Sequence, residues 1–211
     1  MPKRIGRSFF TRPTLKVAKE LLGKFIVRKY RDKKIIGKIV ETEAYIGPQD
    51  KASHGYQMKK TKRNRAEYLI GGHIYIYLVY GMYYQLNIST EKEGLPRCVL
   101  IRALEPIDGI SQIIKNKYNN RNLRVFAFRS AKIRNLTNGP GKLCRYLKLD
   151  KSFYAEDLTK SKRIWLEDRG IKIKKSEIVA SKRIGIDYAG KYWANKKWRF
   201  YLKDNPFVSQ K

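Results

Sequence analysis

The spacing of apolar residues changes along the chain, and each change marks an element. Between Thr11 and Gly23 it is helical, with Leu15, Ala18, Leu21 and Leu22 on one stripe. Thr11 is placed to cap this helix, Pro13 falls in its first turn, and Gly23 supplies a stop. From Phe25 the period becomes two. Phe25 to Tyr30 and Ile35 to Tyr45 read as strands joined by a charged turn at Arg31 to Lys34. A basic run from Lys59 to Arg65 leads into a short helix ending near Ile70. Gly72 to Thr90 carries the strongest hairpin signal: Tyr75, Tyr77 and Val79 alternate with Ile74, Ile76 and Leu78, Gly81-Met82 reads as a two-residue turn, and Tyr83 to Ser89 returns.

Arg97 to Leu104 is a further strand, ended by Pro106. Residues 109–149 carry ten Lys and Arg and no acidic residue. They read as a helix, a loose basic loop, and a second helix opening at Asn138-Gly139-Pro140-Gly141-Lys142. Short strands are expected around Trp165, at Ile178 to Ile186 and at Trp198 to Leu202. Strands joined by short turns with few intervening helices predict an α+β fold. The expectation is a single domain over residues 1–211, a curved antiparallel sheet surrounded by α-helices, with a protruding β-hairpin.

One strand and its exit loop, Ile39 to His54, combine unusual residues. Strand alternation puts Ile39, Glu41, Glu43 and Tyr45 on one face and Val40, Thr42 and Ala44 on the other, with Gly47-Pro48 ending the strand. Two carboxylates and an aromatic on one face suit a site; two acids paired with arginines of a neighbouring strand would fit the same pattern. The loop then delivers His54, one of two histidines in the chain.

Charge narrows the partner. Lys and Arg number 48 against 18 Asp and Glu, a net +30 with a pI near 10.2. Such an excess points to a polyanion, with nucleic acid first. Tyr68 to Thr90 has no charged residue, but its glycines, Gln85, Asn87 and alternating tyrosines argue against a membrane helix. The two cysteines and two histidines are too few and scattered for a zinc site, and no cofactor is expected. The N-terminus lacks the apolar core of a signal peptide, so a cytoplasmic or nucleoid location is expected.

The tyrosines sharpen the reading. Tyr80-Gly81-Met82-Tyr83 would put apolar side chains at a hairpin tip, where they face water. An aromatic wedge flanked by basic stretches suits insertion between stacked bases. A basic binding module without catalysis shares the charge but has no use for a carboxylate facing a polyanion.

The strings E-T-E-A-Y-I-G-P-x-D-x-A-S-H, T-x-R-N, Y-I-Y-L-V-Y-G-M-Y, L-N-I-S, V-L-I-R-A-L-E-P, N-G-P-G-K-L and R-F-Y occur in one order over nearly the whole chain. Together they resemble the alkyladenine, or mammalian-type 3-methyladenine, DNA glycosylase family, in a compact bacterial-like form. The resemblance implies a monomeric, monofunctional purine DNA N-glycosylase acting on double-stranded DNA that contains damaged purines, without metal or cofactor. It makes Glu43 the general base for a water, with Arg102 helping to hold that water. Tyr45, Ala52, His54, Tyr77, Asn87 and Ile184 correspond to the base pocket. Tyr80, Met82 and Tyr83 correspond to the intercalating tip. Arg63 and Arg65 in the basic run, and Lys142, which with the Pro-Gly helix start offers a cation and N–H groups to a phosphate, are the expected DNA-backbone contacts. The chain departs from the family pattern at Lys51, in the Gly55 to Lys60 stretch and at Tyr83-Tyr84, positions that bear on lesion preference and DNA affinity.

Overall fold

Nine antiparallel strands form one sheet among the described residues, which in this computed structural model are 1–108 and 134–210. Its order is β1 (Lys3–Arg4), β7 (Ile164–Asp168), β2 (Phe25–Tyr30), β3 (Lys33–Ile46), β6 (Arg97–Asp108), β5 (Tyr83–Ser89) and β4 (Ile74–Val79). β9 (Arg199–Leu202) adds to β3 and carries β8 (Ile178–Ser181) on its far edge. The basic helix and loop expected within 109–133 lie outside the described residues. The α-helices that are described are few and short: α1 (Arg7–Phe10), α2 (Thr14–Glu20), α3 (Pro140–Tyr146) and α4 (Lys191–Ala194).

β3, at 14 residues, is the strand on which the others are hung. β6 runs along one edge from Asp108 opposite Ile36 to Arg97 opposite Ile46. The other edge is shared, with β2 pairing Lys33 to Lys38 and β9 pairing Glu41 to Glu43. Where one partner hands over to the next, the β6 register shifts between Ile39 and Glu41 and again between Glu41 and Thr42. A bulge of this kind adds twist and re-aims side chains. Ile39 accordingly joins Val40 and Ala44 in the main hydrophobic cluster rather than sharing the face of Glu41, Glu43 and Tyr45.

α2, packed on β3 and β6, adds Val17 and Ala18 to that cluster, and its C-cap adds Leu21, alongside Ile39, Ile101 and Leu104. The Thr42 hydroxyl donates to the Ala18 carbonyl at 2.9 Å, tying strand to helix. α3 packs Leu143 and Cys144 over β5 and β6.

Several local expectations are corrected. The Thr11–Gly23 helix is two helices: Thr11 ends α1, and Pro13 stands immediately before α2. The residue before a proline is disfavoured in the helical region, so Arg12 breaks the run. The second helix ends at Glu20 with Leu21 as its C-cap, short of Gly23, whose φ of +80 turns the chain toward β2. The helix expected before Ile70 is a single 3₁₀ turn, Arg65–Tyr68. Pro106 does not end β6; it sits opposite Gly37, where the ladder slips and its missing N–H is tolerated. The strand read to Ile186 stops at Ser181, and the following residues leave the sheet. The hairpin turn begins one residue early: Val79 and Tyr83 are the last pair, and Tyr80-Gly81-Met82 crosses between them with φ of +52 and +67 at Tyr80 and Gly81.

Candidate active site

Glu43 is the last residue of the β3 segment that pairs with both β6 and β9, and its side chain is fully buried. Burial of a carboxylate demands donors. Three are supplied: the Ile184 N–H donates to Oε1 at 2.8 Å, and the Tyr45 hydroxyl and Arg102 Nη1 donate to Oε2 at 2.9 and 3.2 Å. Burial, then the adjacent Glu43, push the Tyr45 pKa well up, so its hydroxyl stays a donor. A carboxylate offers about four acceptor sites. The one left over is on Oε1.

Arg102 is divided between two acids. Its Nε donates to Glu41 Oε1 at 3.1 Å while Nη1 reaches Glu43. Burial works against this guanidinium, but Glu43 and Glu41 outweigh it and raise its pKa. Glu41 in turn accepts from Arg199 Nη1 at 3.0 Å and from the Ser209 amide and hydroxyl at 2.7 and 2.9 Å. Glu41 thus fits the reading of an acid paired with neighbouring arginines; Glu43 shares Arg102 with it but is enclosed by its three partners, which themselves line a cavity.

That cavity, about 330 Å³, is lined by Tyr45, Arg102 and Ile184, the three partners of Glu43. Ala52, His54, Tyr77 and Asn87 also line it, so every expected base-pocket residue is brought to one place. At its outer side it reaches Val79 and Tyr80, joining the carboxylate's surroundings to the hairpin tip. One edge of His54 is exposed; the other packs edge-on to Tyr77, at 4.8 Å between ring centroids, and Nδ1 shares a 2.7 Å hydrogen bond with the Tyr75 hydroxyl. The enclosed edge, with Arg63 nearby, lowers its pKa to about 4. His54 is thus a neutral ring at physiological pH.

The tip residues separate. Tyr80 is 87% exposed and Met82 67%, with no apolar cover of their own. Tyr83 lies back against Gly141 at the start of α3, where a side chain would collide with its ring. Of the residues expected on the DNA backbone, Arg63 donates to the Leu78 carbonyl at 3.0 Å and lies over the Tyr77 ring, beside the cavity. Arg65 is exposed on its 3₁₀ turn, and Lys142 is exposed and reaches Asn138 Oδ1 at 2.9 Å.

The sequence reading missed a supporting set. Arg183 and Asp50 are fully buried and paired through two hydrogen bonds, and Arg183 Nη1 also donates to the Ala44 carbonyl at 3.0 Å. The pair holds the segment that presents Ile184 to Glu43. Gln85 accepts from the Tyr77 hydroxyl at 2.9 Å, and Glu67 and Cys98 line the cavity wall. The one available signal was Glu67, an acid immediately before the uncharged stretch that opens at Tyr68. Among the described residues, no three His, Cys, Asp or Glu side chains are grouped to hold a metal ion, and no helix is long and apolar enough to cross a membrane.

Known proteins resemble this chain over its whole length. Residues 8–206 match the family model for methylpurine-DNA glycosylase. A Clostridium novyi protein named as a candidate 3-methyladenine DNA glycosylase is 46% identical over 209 residues, covering 99% of this chain and all of its own. Proteins of the same name from Natranaerobius thermophilus and Clostridium perfringens are 44% and 45% identical, covering 98% and 99% of this chain and 98% and 100% of their own. With an enclosed carboxylate, an aromatic cavity and this likeness in hand, the chain belongs to the methylpurine-DNA glycosylase family of DNA-repair hydrolases.

Proposed function

We propose that the protein, acting as a monomer and a single domain, excises damaged purines from double-stranded DNA by flipping the nucleotide into the cavity and hydrolysing its N-glycosidic bond. The substrates are 3-methyladenine and 7-methylguanine, with hypoxanthine and ethenoadenine as neutral candidates. The observation that carries this reading is the cavity shared by Glu43's three partners and by Tyr80. A base in a duplex is out of reach of any side chain, and extruding it costs a few kcal/mol. Tyr80, exposed and held at positive φ, supports the role of wedge: stacking recovers roughly 1–3 kcal/mol.

In the chemical step a water oxygen attacks C1′ of the extruded nucleotide, its proton passes to the free Oε1 position of Glu43, and the bond to the purine nitrogen breaks. Positive charge develops on the sugar, and the carboxylate stabilises it. A purine methylated on the ring leaves as a neutral base, so it needs no acid. No lysine nucleophile is used, and the product is an abasic site with the strand intact. Arg102, fixed between Glu41 and Glu43, orients the carboxylate and the water. Glu43→Gln keeps the shape and removes the base; it should abolish release of 3-methyladenine from methylated duplex while lesion-DNA binding persists. Release at the wild-type rate would refute the reading.

A further inference from the structure

One buried acid at the cavity is not used by the chemistry above. Glu67, 1% exposed, lines the wall beside Tyr75, Cys98 and Asn87. Its Oε1 accepts from the Ser53 hydroxyl at 3.1 Å and lies 3.5 Å from Cys98 Sγ, and its Oε2 is buried with no partner at all. No cation lies within ion-pair distance of it among the described residues, although the chain carries 48 Lys and Arg. Asp50, the acid that acts on it electrostatically, is already committed to Arg183. A polar oxygen left unpaired in a buried wall costs free energy that a bound group of the right charge can recover.

We propose that Glu67 is a specificity-determining residue, its buried carboxyl group, free of any cation partner, favouring extruded purines that carry a positive ring charge over neutral ones. This rests on reading the cavity as the base pocket. Burial first, and Asp50 among the weaker influences, push the Glu67 pKa up to about 7 despite the hydrogen bonds from Ser53 and Cys98. The other titratable groups coupled to it are Tyr68 on its own turn, Tyr75 and Tyr77 from β4, and Cys98 from β6; burial holds all four above their ordinary values, hence uncharged. His54, at about 4, adds no opposing positive charge near neutral pH. A cationic purine entering the pocket draws the proton off Glu67 and gains a counter-charge. A neutral purine seals the carboxyl away from water and favours the protonated form. The preference for cationic over neutral bases therefore rises as pH passes through about 7.

The test is single-turnover release of 3-methyladenine from methylated duplex and of hypoxanthine from an inosine-containing duplex, from pH 6 to pH 8.5. Wild-type protein is compared with Glu67→Gln, which preserves shape, and with Glu67→Met, whose adaptable side chain suits the surrounding packing if Gln fails to fold. Thermal melts establish folding. The expected result is a 3-methyladenine to hypoxanthine ratio that climbs with pH in the wild type and is lowered about tenfold at pH 8 in the variants, the factor that one pH unit of proton affinity carries. In the variants the climb is also flattened, and titrations of the substrates themselves cancel because all proteins share them. A folded variant with the wild-type ratio and pH profile overturns the role of Glu67 and leaves the glycosylase reading standing. A wild-type protein that releases neither base overturns both.

Discussion

The Asp50–Arg183 pair makes a prediction that can be sized from the structure. Asp50→Asn retains volume but removes the charge facing a fully buried guanidinium. Arg183 then keeps the Ala44 carbonyl and one amide oxygen as acceptors but faces no opposing charge there, and its Nε already has no partner. Breaking a buried pair from one side costs about 3–5 kcal/mol, because a charge is left uncompensated. For a chain of 211 residues, each kcal/mol moves the melting temperature by roughly 2–4 °C, so the drop should fall between about 6 and 20 °C. Adding Arg183→Met to Asp50→Asn removes the orphaned charge, and the double variant should melt above Asp50→Asn alone. Calorimetric melts of the wild type, both single variants and the double variant form the cycle. Because Arg183 immediately precedes the Ile184 amide that binds Glu43, Asp50→Asn should also release 3-methyladenine more slowly at temperatures where it remains folded. An Asp50→Asn protein within 2 °C of wild type, or a double variant less stable than it, would refute the assignment of this pair as the anchor of the Ile184 segment.

Glu41→Gln removes the charge shared by Arg102 and Arg199; we expect about 3–5 kcal/mol lower stability by urea unfolding and slower base release through the loosened Arg102. Unchanged release would detach Arg102 from orienting the carboxylate. Tyr80→Ser should weaken binding to lesion duplex by roughly 1–3 kcal/mol in a fluorescence titration and leave binding to undamaged duplex nearly intact; equal losses would remove the wedge. Glu67 carries a signed pH dependence. Its folded pKa, about 7, lies above the ordinary 4.5, so the native state holds the proton more tightly and stability is lost as pH rises from about 4.5 to 7. At roughly 1.4 kcal/mol per pH unit this is about 3 kcal/mol, and Glu67→Gln should gain by that amount on the wild type between pH 4.5 and pH 8 in urea unfolding. Parallel stability curves would show that the acid is not held protonated.

Elements with a strong local signal were legible in the sequence. β2, the Glu41–Tyr45 part of β3, and the β4–β5 pairing follow from period-two alternation, and α3 from its Pro-Gly opening. What alternation could not carry was the bulge at Ile39–Val40, because it arises where β2 hands over to β9, a strand about 160 residues downstream. The same limit hid Arg183. As sequence it falls inside the stretch Ile178 to Ile186 that reads as one strand; the strand ends at Ser181, and Arg183 pairs with Asp50 beyond it. The pocket residues were found through a family resemblance, which marks Tyr45, His54, Tyr77 and Asn87 but is silent about Glu67, whose environment exists only once β4, β6 and the Ser53 loop converge.

The arrangement of acids answers a problem the composition sets. With 30 more cations than anions, any carboxylate is prone to capture by a guanidinium, and a carboxylate gripped on both oxygens by arginine is poorly placed to accept a proton. Glu43 escapes this because Arg102 is fork-like and is spent elsewhere: Nε is taken by Glu41, Nη2 points to Ser209, and only Nη1 remains for Glu43 Oε2. Oε1 meets an uncharged backbone amide instead. Glu41 therefore acts by occupying the cations, with Arg199 added on its other side, so that Oε1 of its neighbour two residues on meets no guanidinium. Strand alternation brings both acids to the same arginine.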